Sequence, residues 1–245
     1  MKAVLASTQP QNCRNIASLK KQLDIRKTKP KLEVPFKVYI YCTQLSPYDP
    51  SLTIAYENPK GNLFYDGKNH SQFLTARVIG EFICDRIEEF VSEFSDYDNV
   101  RDAIYRVFVD EDSDIFITKI ASKEKDSENF WICTQSCFSF DEIKEYIGYD
   151  KPLKTFYGWH ISGLKIYDKS KELSEFSKYW DSENDIRPCQ KGHQCEYDYF
   201  DYSEGCKACA IDYDGADCPK VKLKRPPMSW CYVEELPEKE TYSAF

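Results

Sequence analysis

Apolar and polar residues alternate with a period of two through several short runs of the chain, which predicts a fold built mainly from strands. "KAVLAS", Lys2 to Ser7, reads as a first strand, and Pro10 suits the first turn of a helix running to Ser18 with Ile16 and Ala17 inward. In "QLDIRK" Leu23 and Ile25 alternate with Gln22, Asp24 and Arg26, so one face is buried and the other presents those three polar side chains together. "PFKVYIYC", Pro35 to Cys42, has the β-branched and aromatic content of a central strand, and Arg77 to Asp85 gives another. "AIYRVFVDEDSDIFITKIAS" predicts a hairpin turning at "DEDSD". "SFDEIKEYIG" predicts a helix: Ser139 caps it, acids open it, Ile143 and Ile147 share a face and Gly148 ends it. "YGWHISGLKIYD" follows as a strand pair or one bent strand, and "SWCYVEEL" closes the sheet.

Three stretches break this pattern. A polar, Pro-containing loop runs from about Gln44 to Ser71, and "EEFVSEFSDYDNVRDA" has the weak helical spacing of acidic surface structure. From Lys178 to Arg225 Cys, Asp, Tyr and Gly dominate with little periodicity, the mark of an insertion loop. The chain therefore reads as a single domain over 1–245 with insertions at about 44–71, 86–135 and 178–225. With 245 residues, 42% of them hydrophobic, it can bury a real core. No apolar run approaches the roughly 18 residues of a membrane helix, and none has the form of a signal peptide, so a cytoplasmic protein is expected.

Charge is distributed unevenly. Residues 1–41 carry nine basic and two acidic side chains, a net +7, which leaves −15 for the remainder of a chain whose formal charge is −8. Lys20, Lys21, Arg26 and Lys27 are concentrated at the predicted helix–strand turn. Lysine offers phosphate a point charge and arginine a planar two-pronged donor, so this turn could bind a nucleotide or nucleic acid; equally, its cations could pair with the acidic body, Asp24 first.

Eleven cysteines without an export signal should be reduced thiols or metal ligands. Cys206 and Cys209 form a CxxC bite for one Zn²⁺, and two of Cys189, His193, Cys195 and Cys218 would complete four ligands in a structural site that orders a loop poor in apolar residues. Cys13, Cys42, Cys84 and Cys231 fall within predicted elements, where small thiols pack. "EYDYFDYSE", in the same loop, alternates acids with rings and suits a protein partner as well as plain exposure.

The pieces "MKAVLASTQPQNCRNIASLKKQLDIRKTKPK", "FKVYIYCT", "RVIGEFICD", "YGWHISGLKIYDKSKELSEF" and "RPPMSWCYVEEL" together resemble the ASCH-domain proteins of the PUA-like superfamily, in the longer form found in bacteriophages and Firmicutes. The resemblance implies an α+β fold, a curled β-barrel with flanking helices, with a cleft beside the first helix and second strand. It also implies binding of RNA or nucleotides, some short members acting as amidohydrolases of acetylated cytidine or as ribonucleases. The family's turn usually reads Gly, basic, Lys, Thr, then an acid or Thr two residues on, then Arg. Here it reads Leu19, Lys20, Lys21, Gln22, with Asp24 and Arg26. Lys21, Asp24 and Arg26 match by position; Leu19 and Gln22 depart, and Asp24 stands where the amidohydrolase has its nucleophilic Thr. Leucine at the glycine position reaches positive φ only at a cost.

The expected function is a binding module, more non-catalytic than enzymatic, for a nucleotide or single-stranded nucleic acid. Ser7, Gln9, Lys20, Lys21, Asp24, Arg26, Lys27, Trp159 and His160 would border the cleft, with bases on aromatics and phosphates on cations. One alternative is a phage-encoded interaction protein that presses its acidic body onto a basic nucleic-acid-binding host defence complex. The other is a nucleoside amidohydrolase or ribonuclease using Lys21 and Asp24.

Overall fold

The computed structural model describes residues 1–44, 52–58, 70–94, 102–109, 114–122, 130–148, 153–179 and 222–237. Two five-stranded sheets, a small hairpin and three short α-helices make up these residues, an α+β architecture rich in strands.

The first sheet orders β11 (Ser162–Lys171), β6 (Arg77–Cys84), β3 (Phe36–Cys42), β1 (Lys2–Thr8) and β12 (Trp230–Glu234). β1 and β3 run parallel, Val4 opposite Val38, and β12 adds antiparallel at the outer side of β1, Leu5 opposite Cys231. Both faces of β1 are covered, which is why its apolar run is nearly continuous. Val4 and Ala6 join Val38, Ile40 and Phe82 on one face, with Ile16 of helix α1 (Pro10–Ala17) and Trp159; Ala3 and Leu5 meet Tyr39, Phe176 and Val233 on the other.

The second sheet orders β2 (Leu23–Arg26), β10 (Leu153–His160), β7 (Ile87–Glu93), β8 (Ala103–Val109) and β9 (Ile115–Ser122), all neighbours antiparallel. Helices α2 (Trp131–Ser136) and α3 (Phe140–Ile147) supply Ile132, Phe140, Ile143 and Ile147 to a core with Leu23, Ile25, Phe90 and Phe156. α3 has the expected cap: the Ser139 hydroxyl accepts from the Glu142 amide and the Glu142 carboxylate accepts from the Ser139 amide. Among the described residues each sheet is open, with β11 and β12 at the edges of one and β2 and β9 at the edges of the other. Among the described residues no helix is long and apolar enough to cross a membrane.

Two stretches fold otherwise than their spacing suggests. Within the polar 44–71 stretch lies β4 (Thr53–Glu57), which pairs with β5 (His70–Leu74), Tyr56 and Phe73 turning into the first core. The acidic "EEFVSEF" is not helical: β7 sits between β10 and β8. Its inward positions include Glu88, a buried carboxylate held by Arg86 at 3.1 Å and Arg106 at 3.2 Å, and that inward acid hides a strand's alternation from view.

Close approach of β11 to β6 demands a glycine at 80, where an added Cβ would lie 2.4 Å from the Lys165 carbonyl oxygen. Because the obstacle is backbone, Gly80→Ala should destabilise the protein by roughly 1–3 kcal/mol, read as a lower urea midpoint at unchanged slope.

Candidate functional site

Helix α1 ends at a turn whose backbone amides, Lys20 and Lys21, both donate to the Asn15 carbonyl at 2.9 and 3.1 Å. Leu19 occupies this turn at φ +58°, the left-handed conformation for which glycine is the undemanding choice. Its side chain is 46% exposed, so it plugs no hollow. The turn rests on the C-terminal end of α2: the Gln22 amide donates to the Gln135 carbonyl at 2.8 Å, and Cys137, just past the helix, also stands at positive φ, +54°. Two non-glycine residues in left-handed backbone thus flank one junction, and such strain collects where surrounding structure holds it for a purpose.

Within this junction lie three ionisable side chains, Lys21, Asp24 and Arg26, each no more than 4% exposed. Arg26 Nε donates to Asp24 Oδ2 at 2.7 Å, and Lys21 Nζ stands 3.7 Å from Asp24 Oδ1. The remaining donors reach mainly backbone. Lys21 Nζ donates to the Ser136 carbonyl at 2.7 Å; Arg26 Nη1 donates to the carbonyls of Ser7 and Ser229 at 2.9 and 3.1 Å, and Nη2 to Thr8 Oγ1 at 3.1 Å. Burial lowers the Lys21 ammonium from its ordinary range, Asp24 opposing and Arg26 adding to the shift.

Trp159 sits opposite Asp24 in the β10–β2 pair, which puts both side chains on one face. It is fully buried, edge-on to Phe36, with the Arg26 guanidinium 5.7 Å from its ring, and its indole N–H has no hydrogen-bond partner among the described residues. His160, the next residue, is turned by alternation to the other side and pairs through Nδ1 with Asp85 Oδ1 at 2.6 Å. The burial that would raise the Asp85 carboxyl is outweighed by His160, and its pKa falls. Ser7 contributes its carbonyl to Arg26 and its hydroxyl donates to the Pro227 carbonyl at 2.6 Å, whereas Gln9 is exposed at the start of α1 and makes no side-chain cap. The nine residues read from the sequence therefore divide: Ser7, Lys21, Asp24, Arg26 and Trp159 converge, Lys20 and Lys27 lie outside, and Gln9 and His160 stand apart.

Outside the network is a partly exposed aromatic face that the spacing of residues 130–148 did not disclose. Phe138 and Tyr146 stack at 6.3 Å between centroids and 17° between planes, with Lys21 Nζ 4.3 Å from the Phe138 centroid and Lys27 Nζ 5.3 Å from that of Tyr146. Burial raises the Tyr146 phenol, with Arg26 pulling against it and Asp24 adding to it, so the ring and the network lie within electrostatic reach of one another. Lys20 pairs with Glu57 at 2.8 Å with both groups more than half exposed, a contact worth at most about 1 kcal/mol and easily exchanged for a ligand. The helix start at Ser139 was the available signal: residues just before a cap lie in a turn, and here that turn carries Cys137 and Phe138.

No family model, curated protein or solved structure matches the chain. What the site does must then be argued from its chemistry. The zinc candidates Cys189, His193, Cys195, Cys206, Cys209 and Cys218 lie outside the described residues, as does "EYDYFDYSE". Cys13, Cys42 and Cys84 are buried free thiols and Cys231 a half-buried one; burial pushes Cys84 up to about 12 and Cys231 to about 11, the condition of inert packing groups.

Removing one member of a buried charge cluster costs more than the cluster itself contributes. Asp24→Asn should destabilise the fold by about 3–5 kcal/mol, because Arg26 and Lys21 lose their counter-charge; chemical denaturation measures it. Leu19→Gly should do the reverse, raising stability by about 1 kcal/mol through relief of the left-handed backbone, with Leu19→Val less stable than either.

Proposed function

We propose that this chain binds a nucleotide or a single-stranded nucleic acid, RNA in the first instance, on the face formed by Lys20, Lys27, Phe138 and Tyr146 above the Lys21–Asp24–Arg26 network. The curled PUA-like barrel and the ASCH resemblance belong to this same proposal. The observation that carries it is the interleaving of rings and ammonium groups: two stacked aromatics, each with a lysine over its face. Bases stack on such rings regardless of identity, and backbone phosphates would sit on the exposed Lys27 and Lys20, Lys21 being buried beneath Phe138.

The buried network supports the reading by its charge. With Lys21 protonated it holds two cations and one carboxylate, so an anion brought to the adjoining face is attracted into a low-dielectric setting. Asp24 in place of a hydroxyl nucleophile, and a Lys21 amine already donating to a carbonyl, favour binding over turnover.

A second reading, the interaction protein that opposes a nucleic-acid-binding host complex, is favoured by a different observation. Lys20 and Lys29 are paired with Glu57 and Glu89, which leaves less free cationic surface than the sequence count suggests. Pull-down from host lysate that recovers a basic nucleic-acid-binding protein, together with no affinity for free strands, would select it.

Fluorescence anisotropy with short single-stranded RNA and DNA at several salt concentrations tests the first reading. Affinity should fall steeply with salt, and Lys20→Ala with Lys27→Ala should flatten that dependence by about 0.7 in slope for each phosphate no longer neutralised. Tyr146→Ala should weaken binding by about 1–3 kcal/mol; absence of binding even at low salt removes the proposal.

Binding should also take up a proton. The Lys21 pKa is lowered in the free protein by burial, and a phosphate nearby favours the charged form, so affinity should rise as pH falls through the interval below the ordinary lysine value. Calorimetry in buffers of different ionisation enthalpy reads this directly, and Lys21→Met should abolish it.

A further inference from the structure

On the face of the second sheet that carries Phe90 and Phe156 lies a charge cluster apart from the lysine and ring face described above. Glu88 shares that face because it stands two residues before Phe90 on β7. It lies opposite Gly158, where an added Cβ would be 2.8 Å from the Leu23 side chain, so Leu23 closes over the glycine and helps to bury the carboxylate. The Glu88 side chain is 3% exposed, yet neither of its oxygens has an aligned hydrogen bond. Two guanidiniums approach Oε1: Arg86 Nε at 3.1 Å, from the connection before β7, and Arg106 Nη2 at 3.2 Å, from β8. Oε2 meets no donor among the described residues.

A pair that served only to neutralise Glu88 would need one arginine, with its fork laid across both carboxylate oxygens. Here two cations meet one anion, and each guanidinium, which has five N–H groups, commits one nitrogen to it. Both arginine side chains are open to solvent, Arg86 at 56% and Arg106 at 41%. Among the described residues neither pairs with a second carboxylate: Asp85, the adjacent acid, is taken by His160 at 2.6 Å. Trp131 at the start of α2, 41% exposed, has the Arg106 guanidinium 5.6 Å from its ring centroid. A buried carboxylate therefore holds two half-exposed guanidiniums at one point with most of their donors unused, which removes much of the ordering cost that long side chains otherwise bring to binding.

We propose that Arg86 and Arg106 anchor a binding site for a small phosphate monoester, with Glu88 as the positioning residue that fixes the two guanidiniums. Because Arg86 Nε and Arg106 Nη2 reach the same oxygen, they are separated by no more than those two contacts laid end to end, a gap that one phosphoryl group spans with an oxygen on each. A planar carboxylate matches one fork. The three terminal oxygens of a phosphoryl group point in different directions and accept from two forks carried by different segments. Charge agrees as well, since a monoester of about −2 meets two guanidiniums whose mutual repulsion Glu88 relieves beforehand. The acidic remainder of the chain, −15 beyond residue 41, opposes a polyanion and leaves a single phosphoryl group as the occupant. The site shares no side chain with Lys20, Lys27, Phe138 and Tyr146, so it is independent of the nucleic-acid reading and survives its failure.

Calorimetric titration of the full chain with phenyl phosphate, and with inorganic phosphate as competitor, tests this. Phenyl phosphate should bind at one site per chain and be displaced by inorganic phosphate. Arg86→Ala and Arg106→Ala should each weaken it by roughly tenfold to a hundredfold, the loss of charge-assisted hydrogen bonds. Lys20→Ala with Lys27→Ala should leave it unchanged, which separates this site from the other face. A measurement on the wild type needs no variant: phenyl phosphate should protect Arg86 and Arg106 from phenylglyoxal, mapped by mass spectrometry, and leave the exposed Arg14 reactive. No binding, binding indifferent to both arginine substitutions, binding lost with the two lysines, or no protection at Arg86 and Arg106 would each overturn the proposal; if an arginine variant fails to fold, the protection pattern decides.

Discussion

The Arg26 guanidinium is the group on which the described fold turns. It projects from β2, an edge strand of the second sheet, and its donors end on Asp24 beside it, on Ser7 and Thr8 of β1 and on Ser229 just before β12. One side chain thus fastens the second sheet to the two neighbouring strands of the first, which come from opposite ends of the sequence. A buried guanidinium is tolerable only when its charge is met and its N–H groups are accepted, and here a carboxylate, two carbonyls and a hydroxyl do so. Arginine's planar fork lets four acceptors be reached from one position, which a lysine could not copy.

This arrangement changes the meaning of the basic front of the chain. As a linear string Lys20, Lys21, Arg26 and Lys27 form one patch, but folding sorts them by alternation and by the turn. Lys21 and Arg26 go inward to share Asp24, while Lys20 and Lys27 stay outside beside Glu57 and Tyr146. Inner charges set the field and outer ones meet solvent. The site is therefore layered, and the inner layer is structural as much as chemical. Strain at Leu19 and Cys137 belongs to the same layering, because both turns must bend sharply to bring Lys21 Nζ onto the Ser136 carbonyl.

The long apolar runs were legible because they obey one period. β1, α1, β2, β3 and β6 lie where alternation and the proline at the first helical turn put them, and α3 begins at its capping box. β7 was not legible, since Glu88 points inward and, beyond its near neighbour Arg86, finds a counter-charge on Arg106 of another strand, which no local window contains. β4 was hidden for a related reason: a two-stranded hairpin needs few apolar residues of its own when Tyr56 and Phe73 can rest on a neighbouring core.

By itself the amino-acid sequence determined that the chain is a strand-rich α+β protein, that Asp24 and Arg26 share a face of β2, and that positive charge gathers near the first helix. Each is a consequence of local spacing, which a linear reading contains. Only the tertiary structure decided that this face turns inward, that Trp159 lies opposite Asp24 while His160 turns to Asp85, and that Phe138 and Tyr146 bring rings to the lysines. Most of those relations join residues more than a hundred positions apart, and strand pairing and helix docking, not sequence neighbourhood, set the distances between them.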